Sequence, residues 1–391
     1  MKNLKSYNIP VSTTLTSTIS SICAFLYLTN PSLKFIYKNS LINIIPFFFF
    51  ILVIILSNNY IFKKKLLSPF LLISLFFSIT ISSFFFNISG IEFKEIFRII
   101  SLYFAFIAGL ILFNQINTRL LIIFLICWCI SLALSSNMNI INYHDGKDFN
   151  HLNFTLPLAM LVSWLIFYIN LKNKINFIFT LLLLIPIIYL SINIIFAGSR
   201  AAIVVPLFIA TIYSLLLFNH INKKRMISFM ILFSITIIIS LPIIINKLSS
   251  YFLYKLSTMS SNIEDDSRYQ LYKKLYYVLQ DFPQGIGYHN YSLYIMEPYP
   301  HNFFLEIALN SGILSSLLLL LFIVYYLLKS IKLNRTRKLD IKNLIPLIFF
   351  SYFLLSWQLS NDFGSSAPLF FSLGLLVSST YQNNEEFNKY E

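Results

Sequence analysis

The chain has 391 residues, of which 57% are apolar, 11% are charged and 41 are Phe. A soluble domain carries about 25% charged residues, so soluble globular, disordered and fibrous classes are excluded, and a mean hydropathy of +0.75 describes a chain whose main solvent is lipid. The net charge of +14 needs no nucleic-acid partner, because most basic residues fall where the positive-inside pattern puts them.

Stretches free of Asp, Glu, Lys and Arg cover residues 6–33, 39–62, 66–91, 99–118, 120–143, 152–171, 175–199, 201–222, 226–246, 307–328, 343–361 and 363–384. Each is close to the ~20 residues that cross a bilayer. We read an all-α polytopic protein: about twelve membrane-spanning helices in a single integral membrane domain, 1–391. The first run is rich in Ser and Thr between Thr13 and Ser21, and a cleaved signal peptide is its rival. The thin basic n-region and the lack of a small-residue cleavage site favour a span. Pro46, Pro157, Pro186, Pro206 and Pro242 lie inside runs, where neighbouring helices satisfy the freed carbonyls. With the N-terminus inside, 18 of the 29 basic residues fall in cytoplasmic segments, so both termini are expected there. Cys23, Cys127 and Cys129 all lie in apolar runs, which indicates neither a disulfide framework nor a zinc site.

Residues 247–300 form the one long connection, expected on the non-cytoplasmic side. Its twelve aromatic residues, from Tyr251 to Tyr299, argue against disorder, and a long ordered loop is usually functional. Asp265, Asp266 and Ser267 supply N-cap chemistry for an amphipathic helix over about 266–280. Tyr269, Tyr272, Tyr276 and Leu279 fall at helical spacing and predict its apolar face. The segment Asp281-Phe-Pro-Gln-Gly-Ile-Gly287 then breaks it. The expected result is a cap lying over the outer membrane surface.

Charges near that face are the candidates for chemistry. Arg200 lies between two long apolar runs, where a guanidinium needs an anionic partner or water; a snorkelling interfacial Arg is the plainer alternative. Arg268 opens the loop helix and reads equally as a solvated loop residue. His301 stands at the start of the tenth span, and its neighbour Glu306 reads as one of very few carboxylates inside an otherwise uncharged helix, a functional candidate by default within a membrane. An imidazole titrates near neutral pH, so a His facing a polar cavity can accept a proton from a hydroxyl. The alternative pairs a capping His with a lysine-bound Glu. His144, Asp145, Asp148 and His151 have no tight metal-site spacing and read as a solvated turn. His220 sits beside Lys223, Lys224 and Arg225 as a loop residue. No phosphate-binding loop, dinucleotide fingerprint or Ser/His/Asp arrangement stands out.

Several of these segments together resemble a known family. They are Ser267-Arg268 with the aromatic helix, Phe282-Pro-Gln-Gly-Ile-Gly287, Pro300-His301-Asn302, Leu305-Glu306 and Ser311-Gly312-Ile313. The set resembles the core signature of the bacterial O-antigen ligase and polymerase family. Gly198-Ser199-Arg200-Ala-Ala202 resembles a second landmark, and Asn150-His-Leu-Asn153 a weaker third. The likeness spans about residues 140–325; one departure is Gly-Ile-Leu-Ser where Gly-Ile-hydrophobic-Gly is usual.

The resemblance implies a C-type membrane glycosyltransferase of the bacterial inner membrane. It would transfer a glycan from an undecaprenyl diphosphate donor at the periplasmic face. On this reading His301 is the general base, Glu306 an orienting partner of His301 or of the acceptor, and Arg200 and Arg268 are ligands of the donor diphosphate. Ser199, Asn302, Gly285, Gly287 and Gly312 are supporting motif residues. It implies no cofactor and no metal, because the activated bond is already in the donor and two guanidiniums can neutralise a diphosphate. Expected partners are the lipid-linked glycan, the bilayer and a chain-length regulator protein. A lipid-linked-glycan flippase is the rival from another class; the lack of an internal repeat argues against it. Within the family, polymerase is favoured over ligase, because the loop holds five basic against five acidic residues. A ligase accepting phosphorylated lipid A-core would profit from surplus basic charge.

Overall fold

A computed structural model describes residues 11–37, 44–56, 64–86, 93–143, 151–171, 177–196, 200–217, 267–294, 300–336, 341–359 and 362–387, and the isolated residues 220, 227 and 231. The ninth apolar run, 226–246, lies almost wholly outside the described residues. So do Ser199, Asn150, His144, Asp145, Asp148 and the stretch 247–266, as do the side chains of Arg200 and His151.

The described elements are helical. In chain order they are α1 (Val11–Tyr37), α2 (Ile44–Leu56), α3 (Leu67–Ser82, continued as a 3-10 turn Ser83–Phe86), α4 (Phe93–Leu112), α5 (Thr118–Tyr143), α6 (His151–Ile169), α7 (Phe177–Phe196), α8 (Arg200–Leu216), α9 (Ser267–Asp281), α10 (Phe303–Ser311), α11 (Ile313–Thr336), α12 (Ile341–Leu359) and α13 (Ala367–Phe387). Helices keep every backbone polar group satisfied within the segment, which lipid requires. Among the described residues four stretches are long and apolar enough to cross a membrane: Leu67–Phe86, Phe93–Leu112, Thr118–Ser135 and Ile313–Thr336. Five further apolar helical stretches are shorter: Ile44–Leu56, Asn153–Ile169, Leu182–Ile195, Val204–Leu216 and Ala367–Tyr381.

The Ser- and Thr-rich first run is helix α1, and its hydroxyls explain how a polar sequence joins an apolar bundle. Ser20 and Thr29 donate back to Thr16 and Phe25 carbonyls at 2.7 Å, and Ser21 to Ser17 at 2.8 Å, so the groups are satisfied without water. Ser20 also reaches Gln115 at 3.1 Å, and the Asn117 amide donates to Ser21 at 2.9 Å. These bonds tie α1 to the α4–α5 turn. Cys23, Ala24 and Leu28 of α1 are fully buried in the main core.

The closest helix pair is α4 with α13. A Cβ on Gly109 would stand 2.9 Å from the Leu375 amide nitrogen, and one on Gly374 2.7 Å from that of Leu110. Each glycine therefore lets the partner backbone approach, the small-residue device of helix pairs in lipid, where apolar burial gives no preference for protein over tail. Tyr27 of α1 stacks on Phe371 of α13, with centroids 4.9 Å apart at 12°.

The tenth apolar run, 307–328, is not one span. It divides at Gly312, whose φ of 91° ends α10 and sets a new direction for α11. The helix long and apolar enough to cross a membrane is α11, and Glu306 lies outside it, in the nine-residue helix ahead of it. Phe303 anchors α10 on the bundle, 5.7 Å from the Phe363 ring and 6.1 Å from that of Phe370.

Candidate functional site

The site region grows from the turn after α9. In Phe282-Pro-Gln-Gly-Ile-Gly287 the Ile286 amide donates to the Leu309 carbonyl at 2.7 Å, and the Ile313 amide donates to the Pro283 carbonyl at 2.9 Å. The turn is thus bonded on both sides of the α10–α11 corner. Gly285 and Gly312 make the fit: both have positive φ, and a Cβ on Gly285 would stand 2.6 Å from the Gly312 nitrogen. Any other residue would be strained and would push the two corners apart. The turn is also bonded to the end of α3, since the Tyr288 amide donates to Ser83 at 3.2 Å and the Asn290 side chain to Phe86 at 3.0 Å. The supporting-motif glycines Gly285, Gly287 and Gly312 are therefore the residues of one interlocked corner.

Helix α9 packs here through leucine rather than tyrosine. Leu271 and Leu275 are buried with Tyr291 and Leu309, flanked by Tyr272 and Leu279, whereas Tyr269 is 42% and Tyr276 59% exposed. The predicted tyrosine face is corrected to a Leu271–Leu275 stripe. Leucine buries no polar atom, while a buried phenol needs a partner. Arg268 lies exposed on the first turn of α9, one turn before Tyr272.

Tyr272 joins α9 to His301, donating to its carbonyl at 3.4 Å. His301 has φ 56°, a left-handed value that reverses the chain immediately before α10. The next residue, Asn302, caps α10: its side chain accepts from the Leu305 amide at 3.0 Å, satisfying one of the helix's unpaired donors. His301 is accordingly set between a helix cap and the α9 face that begins with Arg268. Arg200 opens α8, with its side chain outside the described residues.

Glu306 is 2% exposed. One carboxylate oxygen accepts from the Phe363 amide at 2.8 Å and the other from the Tyr291 hydroxyl at 3.4 Å. Burial first, then the charge of Asp362, holds its carboxyl well above the usual range.

Asp362 starts the connection to a second group. Arg98 donates to both Glu95 oxygens at 2.9 Å and to Asp362 at 2.5 Å, and the Tyr288 hydroxyl donates to Glu95 at 3.3 Å. Tyr288 stacks on Phe84, centroids 4.1 Å apart. Burial, then Glu95 and Glu306, push its phenol up, so it stays a donor. The chain of contacts Glu306, Phe363, Asp362, Arg98, Glu95, Tyr288 links α10, the α12–α13 turn, α4 and the loop after α9. The sequence pattern singles out neither Arg98 nor Asp362. The available signal was that Asp362 is the lone charge between the last two apolar runs. His289 was also missed, although it lies inside the recognised motif region. Among the described residues no group of three His, Cys, Asp or Glu side chains is placed to hold a metal.

These residues fall mostly within one matched segment. The family model described as O-Antigen ligase matches residues 185–323, which includes Arg200, α9, the glycine corner, His301 and Glu306. No curated protein matches the chain. The Ser-Arg, Gly-Ile-Gly and His-Asn elements that carry the resemblance lie inside this segment, so over residues 185–323 the chain is similar to the O-antigen ligase family.

Proposed function

We propose that the protein is a C-type membrane glycosyltransferase of about twelve spans. In this reading it moves a glycan from an undecaprenyl diphosphate donor to a lipid-linked repeat unit at the periplasmic face of the inner membrane. The observation that carries it is the seating of His301: a left-handed residue held between the Asn302 cap and Tyr272 of α9, the helix whose first turn carries Arg268, inside the family-matched segment. His301 takes the proton from the acceptor hydroxyl. Arg200 and Arg268 bind the donor diphosphate, each able to offer a planar fork to phosphate oxygens. Glu306, bonded to Tyr291 and Phe363, holds α10 in place behind His301. The bilayer supplies the lipid-anchored donor, and a chain-length regulator protein is the proposed partner in the membrane.

The test is His301→Ala in membranes carrying normal protein levels. General-base assistance is typically worth about 10²–10⁴-fold, so transfer should fall by that range, and full activity of the variant would remove the role. Single cysteines at Ser292 and Thr336, both exposed, test the orientation. An impermeant thiol reagent on intact spheroplasts should label Ser292→Cys and spare Thr336→Cys.

Polymerase remains the preferred reading over ligase on the zero formal charge and dozen aromatics of 247–300. Gel analysis of lipopolysaccharide after gene deletion distinguishes the two. One repeat retained on the core marks a polymerase; bare core with long chains on the carrier marks a ligase.

A further inference from the structure

His289 takes no part in the family signature, yet its surroundings are built. It has φ 65°, and its amide donates to the Asn310 side chain at 3.0 Å. Its Nδ1 lies 2.7 Å from the Tyr291 hydroxyl, which in turn reaches Glu306 at 3.4 Å. Tyr291 is 1% and Glu306 2% exposed, whereas His289 itself is exposed. A buried carboxyl, a buried phenol and an exposed imidazole thus form one hydrogen-bonded file, the arrangement that elsewhere fixes the tautomer and orientation of a working histidine. With Glu306 ionised, the Tyr291 hydroxyl donates to it, His289 donates through Nδ1 to the Tyr291 oxygen, and Nε2 is left as an acceptor. A protonated Glu306 reverses both bonds and makes Nε2 a donor. In either state Nε2 presents one defined role to a hydroxyl.

The same loop carries exposed aromatic rings. Phe282 and Tyr294 are 38% and 42% exposed, with centroids 6.3 Å apart, at the two ends of a segment pinned to α3 and α10. Rigid aromatic faces with one oriented polar group are what a sugar-binding surface requires. Glu306 stands one turn, about 6 Å of helix rise, beyond the Asn302 cap, so the file ends near His301.

We propose that residues 282–294 form the acceptor-glycan contact surface, with His289 hydrogen-bonding a sugar hydroxyl and the Phe282–Tyr294 pair stacking on a sugar face. This rests on the glycosyltransferase reading above and adds to it the place where the acceptor oligosaccharide binds.

The experiment measures transfer by the full-length protein in nanodiscs, using polyprenyl diphosphate-linked repeat units purified from cells that make it. His289→Ala should raise the acceptor KM roughly fivefold to tenfold, the effect of about one hydrogen bond, with kcat changed far less. His289→Gln should restore part of the affinity, and Tyr291→Phe should shift KM in the same direction. His301→Ala should instead lower kcat. A normal acceptor KM in both His289→Ala and the Phe282→Ala/Tyr294→Ala double variant, while His301→Ala is inactive, would overturn the proposal and leave the glycosyltransferase reading intact. No transfer by the unaltered protein would overturn both. Strong quenching of Phe282→Trp fluorescence by brominated lipid would assign the aromatic pair to the bilayer and overturn the stacking role.

Discussion

The α4–α13 crossing and the polar end of the same helices solve the problem of association by opposite means. At Gly109 and Gly374 the backbones touch because side chains are absent. At the end of α4, about three turns away, Arg98 joins Glu95 and Asp362, and the loop after α9 is bonded into α3 and α10. Within lipid, tail and protein are equally apolar, so only close contact rewards packing. The charges of the Arg98 group are not fully buried, with side-chain exposures of 26% for Arg98, 16% for Glu95 and 28% for Asp362, and the cost of pairing partly exposed charges is below that of fully buried ones. The tightest packing and the polar chemistry therefore occupy different levels of one helix pair.

Four measurements test that division. The largest effect is expected from Gly109→Leu, which drives a side chain into the α13 backbone. Overpacking alone costs about 1–3 kcal/mol, and with no room for the backbones to yield, loss of folded protein from the membrane is expected; Gly109→Ala should be milder but still defective. Normal thermal stability of the Leu variant would show that the helices do not meet there.

Next, Arg98→Ala leaves Glu95 and Asp362 facing each other. Removing one partner of a fully buried pair costs about 3–5 kcal/mol; with a quarter of the side chain exposed, about 2 kcal/mol is expected. The Arg98→Ala/Asp362→Ala double variant should lose less than the sum of the two singles, and additive losses would show that the ion pair contributes nothing.

Glu306→Gln should be smaller and pH-dependent. The Glu306 carboxyl is held above its ordinary 4.5, so between that value and its folded-state value the folded protein binds the extra proton. Stability therefore falls as pH rises through this window. Gln offers both an acceptor for Phe363 and a donor for Tyr291 without the charge, so the variant should stay folded and lose this slope in melting experiments. An unchanged slope would place the titration elsewhere. Tyr288→Phe should show the smallest loss, about 1 kcal/mol or less for one long hydrogen bond, because stacking on Phe84 is retained.

How much of this could be read from the chain depends on which physical signal carried it. Long apolar runs announce helices directly, and Leu67–Phe86 follows closely from the run 66–91, whereas Phe93–Leu112 begins six residues ahead of the run 99–118 because the helix takes in Lys94, Glu95 and Arg98. The break at Gly312 leaves no mark on the charge pattern that bounds the runs, because Ser311-Gly312-Ile313 carries no charge. The helix after Asp265 and Asp266 was legible from cap chemistry, but its buried face was not. Tyrosine and leucine score alike as apolar until the hydroxyl must find a partner. The seat of Glu306 was invisible because its partners come from 15 and 57 residues away. Arg98 and Asp362 are separated by 264 residues, and no local pattern pairs them. Gly285 and Gly312 were recognised as motif residues, while their mutual contact belongs to the fold alone.

That contact has a consequence for length. Between Phe282 and Ile313 the chain is bonded to itself at both ends of one corner, Ile286 to Leu309 and Ile313 to Pro283. One residue inserted into α10 would turn everything after it by about 100° and advance it by about 1.5 Å, taking the Leu309 carbonyl away from the Ile286 amide and the Asn310 side chain away from His289. The corner works as a ruler: residue number along α10 sets which atoms of the preceding loop it meets. Divergence in this part of the chain is thus confined to exchanging side chains, and change in length must be taken up outside the segments that form the corner.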